Sequence, residues 1–170
     1  VSNLLLTHVE VYLVTRRPLR VLLLRRSARR RTLPGVWQPV TGKIRRGERT
    51  LAAAAREVRE ETGLSPRRWW TLEGTTVYFD PLMDRTRVLP LFAAEISGRA
   101  RIKLSSEHDA WQLVSPRRAA SLALWDSQRA TLRSLSPQLL ARPSLARALE
   151  VTAFLSPAPR RRRKASRGSQ

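Results

Sequence analysis

The sequence predicts a mixed α/β (α+β) protein, a mixed β-sheet sandwiched between helices. Two observations carry this expectation. Short stretches with apolar residues at alternate positions recur before and after one segment of helical character at residues 50–62, and the later part of the chain, from about residue 116, reads as helices only. A length of 170 residues suits one domain with a continuous core.

Residues 9–14, VEVYLV, alternate and are rich in β-branched types, which predicts a strand. Arg16-Arg17-Pro18-Leu19 supplies a turn, and residues 21–24, VLLL, a second and more buried strand. Residues 27–35 are polar, basic and closed by Pro34-Gly35, the composition of a loop. Residues 36–41 form a short strand leading into Gly42. In the helix over 50–62, Thr50 suits the N-cap, four alanines follow, and Gly63 stands where a C-cap belongs. Residues 71–79 and 87–96 read as paired strands around the turn Asp80-Pro81-Leu82-Met83-Asp84, with Trp69 and Trp70 ahead of them as core and rim. Residues 98–103 and 110–114 are further strands. Residues 116–124 and 126–135 read as helices, with Trp111 and Trp125 as packing residues. Ser136-Pro137 has the form of an N-cap followed by proline at the first helical position, opening a last helical segment to about residue 155. The end, SPAPRRRRKASRGSQ, has no apolar face and reads as a disordered tail. The organisation expected is a domain over 1–135, a helical extension over 136–155 and a basic tail over 156–170.

The chain has no cysteine, which excludes disulfides, thiolate zinc sites and cysteine nucleophiles and fits a reducing cytoplasm, the location expected. The N-terminal stretch VSNLLLTHVEVYLV lacks the basic and long apolar regions of a signal peptide. No apolar run approaches the roughly 20 residues that span a bilayer, so no membrane partner is expected. Lys and Arg number 33 against 13 Asp and Glu, a net charge of +20. Lys occurs only at Lys43, Lys103 and Lys164, so arginine supplies nearly all the excess, as a GC-rich coding bias would. Whatever its origin, such a field attracts anions, nucleotides and RNA among them.

Against that background the acids of GKIRRGERTLAAAAREVREETGL, residues 42–64, stand out. On a helix Glu57, Glu60 and Glu61 share one face, where like charges repel unless something compensates. Arg56 and Arg59 compensate locally; a divalent cation compensates more, and Mg²⁺ or Mn²⁺ prefers carboxylate oxygens. The same acids also suit a solvated helix face with Glu/Arg pairs. Gly42, Glu48, Arg56, Glu57, Val58, Glu60, Glu61, Gly63 and Leu64 together match G-x5-E-x7-R-E-U-x-E-E-x-G-U, with U apolar. A chance match at a given start is on the order of one in a billion.

The stretch resembles the signature of the Nudix hydrolases at every fixed position. The resemblance implies the Nudix fold and cleavage of a diphosphate linkage in a nucleoside diphosphate joined to another group, with Mg²⁺ or Mn²⁺ as cofactor. It implies Glu57, Glu60 and Glu61 as metal ligands, with Glu57 or an acid from elsewhere polarising the attacking water. Glu48 and Arg56 are then a supporting ion pair, Gly42 lets the loop turn sharply and brings backbone near the metal, and the Thr41 carbonyl is an added ligand. In-line attack by water on phosphorus needs charge neutralised and water made more acidic, which bridging metals supply.

Outside the signature, WQPVTG is similar to the dihydroneopterin triphosphate pyrophosphatase branch, as is SSEHDAWQLVS followed by LALWDSQRATLRSL. That likeness implies Glu107 as a further metal ligand or the water-activating base; a surface acid is the bland alternative. Trp37 is a candidate to stack on a base or pterin ring, and Arg25, Arg26 and Arg45 are candidate phosphate contacts. His108 reads as an exposed loop residue in reach of substrate. The expected partner is a small-molecule polyphosphate, with nucleic acid as a possible second partner of the basic tail. No motif specifies an oligomeric state. Two other readings stand beside the leading one: a hydrolase of RNA 5′ ends or dinucleoside polyphosphates, and a nucleotide-sensing Nudix module without catalysis.

Overall fold

The computed structural model describes residues 4–81 and 83–155; the basic tail read at 156–170 lies outside the described residues. Eight strands form one mixed sheet: β1 (Leu4–Leu6), β2 (His8–Arg16), β3 (Leu19–Arg26), β4 (Trp37–Gln38), β5 (Val40–Lys43), β6 (Trp69–Asp80), β7 (Arg85–Glu95) and β8 (His108–Val114). β2 lies at the centre, parallel to β7 on one side and antiparallel to β3 and β5 on the other. β6 pairs antiparallel with β7, and β8 with β3. The helices are α1 (Thr50–Thr62), α2 (Pro116–Leu122), α3 (Asp126–Ser136) and α4 (Pro143–Ala148).

The alternation in the sequence becomes two cores because successive strand residues face opposite sides. Val9, Val11 and Leu13 of β2 and Leu22 and Leu24 of β3 pack against Leu51, Ala54 and Val58 of α1. Tyr12, Val14, Val21 and Leu23 face the other way, against Ala119 and Ala120 of α2 and Leu132 and Leu135 of α3. Each large apolar side chain so buried contributes about 1.5–3 kcal/mol before entropy is counted. Trp69 and Trp70 begin β6 rather than precede it, and both are fully buried, one in each core. Neither is a rim residue.

The sheet is longer than expected at its outer end. β1, unanticipated, runs parallel to β7, and the β6–β7 hairpin extends past the core to the Asp80–Arg85 pair. The arm starts where Gly74 takes φ 96° and the register shifts, and Val77, Phe79 and Met83 on it are exposed.

Three other local readings are corrected. Thr50 is the first residue of α1; Arg49 occupies the N-cap with no side-chain capping bond. Residues 98–103 are not a strand, since this segment runs over the end of α1, where Lys103 N donates to the Thr62 carbonyl at 2.9 Å. Ser136 is not an N-cap: it keeps helical backbone, and Pro137, which has no N–H to continue the ladder, widens the chain into a single π-helical turn, Pro137–Ala141. The break falls at Arg142, ahead of α4. Beyond α4, Thr71 N donates to the Leu149 carbonyl and Val151 N to the Trp69 carbonyl, both at 2.9 Å, so this segment covers the edge of β6. Trp111 and Trp125 are about half exposed and carry less packing than expected.

Candidate active site

α1 and the turn before it form one unit, held by Arg56. Its Nε and Nη2 donate to the two oxygens of Glu48 at 2.8 and 2.9 Å, a forked pair, and Nη2 also reaches the Lys43 carbonyl at 2.7 Å. Both side chains are largely buried. The guanidinium holds the Glu48 carboxyl down to about 2 and its own pKa goes up in return. Glu48 Oε2 accepts a further bond from Arg45 N at 2.9 Å, closing the turn in which Gly47 takes φ 76°. The pair therefore ties the β5–α1 turn to the second turn of the helix. Gly63, at φ 72°, ends α1 with its N–H on the Arg59 carbonyl.

Gly42 has a different task from the one expected. It sits inside β5, paired with Val9, and makes no sharp turn. A Cβ built on it would stand 2.0 Å from Glu57 Cδ. Glycine is needed there because the Glu57 side chain lies across the strand backbone.

Arg56 Nη1 also donates to Glu57 Oε1 at 2.6 Å and to Glu60 Oε2 at 3.1 Å, and Arg45 Nη2 reaches Glu60 Oε1 at 3.2 Å. Glu57 and Glu60 thus lie on one side of α1, around a guanidinium. Glu61 is the exception. It is only 6% exposed, and its Oε2 has no hydrogen-bond partner among the described residues. Burial, then the charges of Glu57 and Glu107, push its carboxyl up to about 9.

His108 is not an exposed loop residue. It begins β8, is buried, and places Nε2 3.9 Å from Glu61 Oε2. Burial holds the imidazole pKa below its ordinary value. The expected strand started at residue 110; strict alternation from there would set His108 on the face of Ala110 and Gln112, and it is the register shift beside Arg25 and Arg26 that turns it to the α1 side, which no local signal announces. Glu107 next to it is about half exposed and meets Arg30 at 3.3 Å, while its carbonyl accepts from Ser27 N at 2.9 Å.

The other predicted residues are not all gathered with these acids, since Trp37 packs on the α2/α3 side of the sheet, opposite α1. Thr41 lies in β5 beside Gly42, opposite Glu10, and its Oγ1 accepts from Gln38 Nε2 at 3.3 Å. Arg26, whose charge acts on Glu61, donates from Nε to the Thr32 carbonyl at 2.9 Å. Arg25 is engaged with Asp109 at 2.7 Å and stacks over Trp37 at 5.8 Å, so these two of the candidate contacts form one cluster. Arg45 stays with Glu48 and Glu60.

The donor chemistry fits a hard divalent cation. The set is all carboxylate, and one member, Glu61, is buried with an oxygen that has no partner among the described residues. Among the described residues no three Glu, Asp or His groups converge as a finished cage. Glu57 and Glu60 have the Arg56 guanidinium between them instead, and a cation has to compete with it.

An acidic loop–helix unit is docked on a mixed sheet between helical layers, and the family and relatives that match the chain make this unit part of a pyrophosphatase-type hydrolase. The NUDIX domain model matches residues 6–135, and the chain belongs to the Nudix family. The asymmetrical bis(5′-nucleosyl)-tetraphosphatase of Mus musculus is 30% identical over 99 residues, covering 57% of this chain and 67% of that protein. In fold the chain is similar to the E. coli dihydroneopterin triphosphate pyrophosphohydrolase (TM-score 0.65, 23% identity, 78% of this chain and 94% of that one). It is equally similar to a C. elegans Ap4A hydrolase (TM-score 0.66, 22% identity, 81% of this chain and 100% of that one). Among the described residues no helix is long and apolar enough to cross a membrane.

Proposed function

We propose that the chain hydrolyses a diphosphate linkage in a nucleoside or pterin triphosphate-type substrate, by attack of water on phosphorus with Mg²⁺ or Mn²⁺ bound. The observation that carries the reading is the carboxylate face of α1, with Glu57 lying across Gly42 and Glu61 buried with an unsatisfied oxygen. Glu57, Glu60 and Glu61 would hold the cation, with Glu107 and the Thr41 carbonyl as further ligands. When bound, the cation supplies charge for the phosphate oxygens and acidifies the attacking water. Glu57 or Glu107 accepts the proton from that water. The forked Glu48–Arg56 pair keeps the loop–helix unit rigid, so the acids stay in register. Only Arg56 Nη1, now on Glu57 and Glu60, would have to yield to the cation, while Nε and Nη2 stay on Glu48. Arg25, Arg26 and Arg45 bring positive charge to the substrate's approach, and Trp37, stacked under Arg25, offers a ring face for a base or pterin.

A second reading, cleavage of a dinucleoside polyphosphate, is supported by the identity to the mouse tetraphosphatase. It uses the same residues at the phosphates and differs in what lies beyond them.

The test is a panel of dihydroneopterin triphosphate, the dNTPs, diadenosine tetraphosphate and triphosphate-ended RNA, with each metal and with products identified. Pyrophosphate release strongest from the pterin supports the first reading, and preference for diadenosine tetraphosphate the second. Glu61→Gln removes a ligand charge and little volume, so kcat should fall by on the order of a hundredfold or more with the fold intact. A near-normal rate in that variant overturns the site.

A further inference from the structure

The end of α1 is stitched to the segment before β8. Ser105 N donates to the Glu61 carbonyl at 3.2 Å, Lys103 N to the Thr62 carbonyl at 2.9 Å, and His108 N to the Ser105 carbonyl at 3.2 Å. These bonds bring the segment of His108 to the end of α1, with its imidazole beside the side chain of Glu61. Neither ring nitrogen of His108 has a hydrogen-bond partner among the described residues, and neither does Glu61 Oε2, 3.9 Å from Nε2. Leaving a buried polar atom unpaired forfeits the hydration it had in the unfolded chain and destabilises the fold. A leucine or methionine at position 108 would avoid that cost, so a histidine unpaired beside an unpaired carboxylate oxygen calls for a state in which the two meet. A separation of 3.9 Å is too long for a hydrogen bond, and a shift of about 1 Å closes it.

We propose that His108 is a positioning residue that donates Nε2–H to one lone pair of Glu61 Oε2 when Glu61 holds a divalent cation. The inference rests on the metal-site reading above. An imidazole with a single proton brings one donor without adding positive charge beside the cation. A carboxylate with one oxygen held has one orientation instead of several, and a hydrogen bond to a charged group is stronger than one between neutral groups.

The experiment compares Mn²⁺ binding, without substrate, to the native chain and to Glu61→Gln, His108→Met and His108→Gln, by paramagnetic resonance. Met and Gln are similar in size, and only Gln keeps an N–H donor. His108→Met should bind Mn²⁺ about tenfold more weakly than native, the effect of losing a supporting hydrogen bond, and His108→Gln within about threefold. Equal binding by His108→Met and the native chain overturns the role of His108 while leaving the metal site standing. Native-like binding by Glu61→Gln, or no binding by the native chain, overturns the metal reading and this inference with it. A measurement on the native chain does not depend on the variants folding: Mg²⁺ should shift the side-chain ¹⁵N resonance of His108 Nε2, and an unmoved resonance at saturating Mg²⁺ overturns the proposal.

Discussion

Glu61 shows how a residue can be placed against its own stability. The folded chain raises its pKa from the ordinary 4.5 to about 9, so it binds that proton more tightly than the unfolded chain does. The contribution is complete below about pH 4.5 and is lost as pH rises toward 9. In chelator, the melting temperature of the native chain should therefore fall between pH 5 and pH 9, and Glu61→Gln should flatten that fall. The difference at pH 9 should reach on the order of a few kcal/mol. An unchanged pH slope in the variant would show that Glu61 is not the group responsible. The sequence marked Glu61 as one of three acids on a face; it did not separate it from Glu57 and Glu60, because their differing burial comes from residues 103–108 folding over the end of α1.

At the scale of the element, the docking of α1 on β5 depends on an absent side chain. Gly42→Ala would place a methyl carbon 2.0 Å from Glu57 Cδ and 2.5 Å from its Oε1, against the carboxylate end of that side chain. Glu57 has to move, and a displacement near 1 Å at a reacting centre can cost on the order of a hundredfold in rate. Turnover should fall by about that factor while far-ultraviolet circular dichroism stays native; a variant with normal turnover would mean that Glu57 tolerates relocation. The helix was legible over its full span, because its alanines, its spacing and Gly63 are local signals. The failures at Thr50, residues 98–103 and Ser136 have a common cause. Capping and strand propensity are weak preferences, and they give way when neighbouring backbone supplies the hydrogen bonds instead.

For the whole molecule the charge of +20 is the dominant long-range property. Encounter with an anionic substrate should be steered, so kcat/KM should drop several-fold between 50 and 300 mM salt while kcat changes little. A salt-independent kcat/KM would show that the excess arginine has no part in encounter. Truncation after Ser156 should leave turnover of small nucleotides nearly unchanged, as assayed side by side with the full chain; a large loss would place the tail in the site.

The sequence by itself determined the span of α1, the central strands, the Nudix family and the face of α1 that carries the acids. Those rest on periodicity and on a motif whose members lie within one loop and one helix. Tertiary structure decided what they meet: Glu57 against the Gly42 backbone, Glu61 in the interior, His108 beside it from a segment more than forty residues away. It also decided that Trp69 and Trp70 divide between two cores, and that β1 and the segment after α4 join the sheet. Contacts between distant segments depend on register and burial, and neither is written in the spacing of a single stretch.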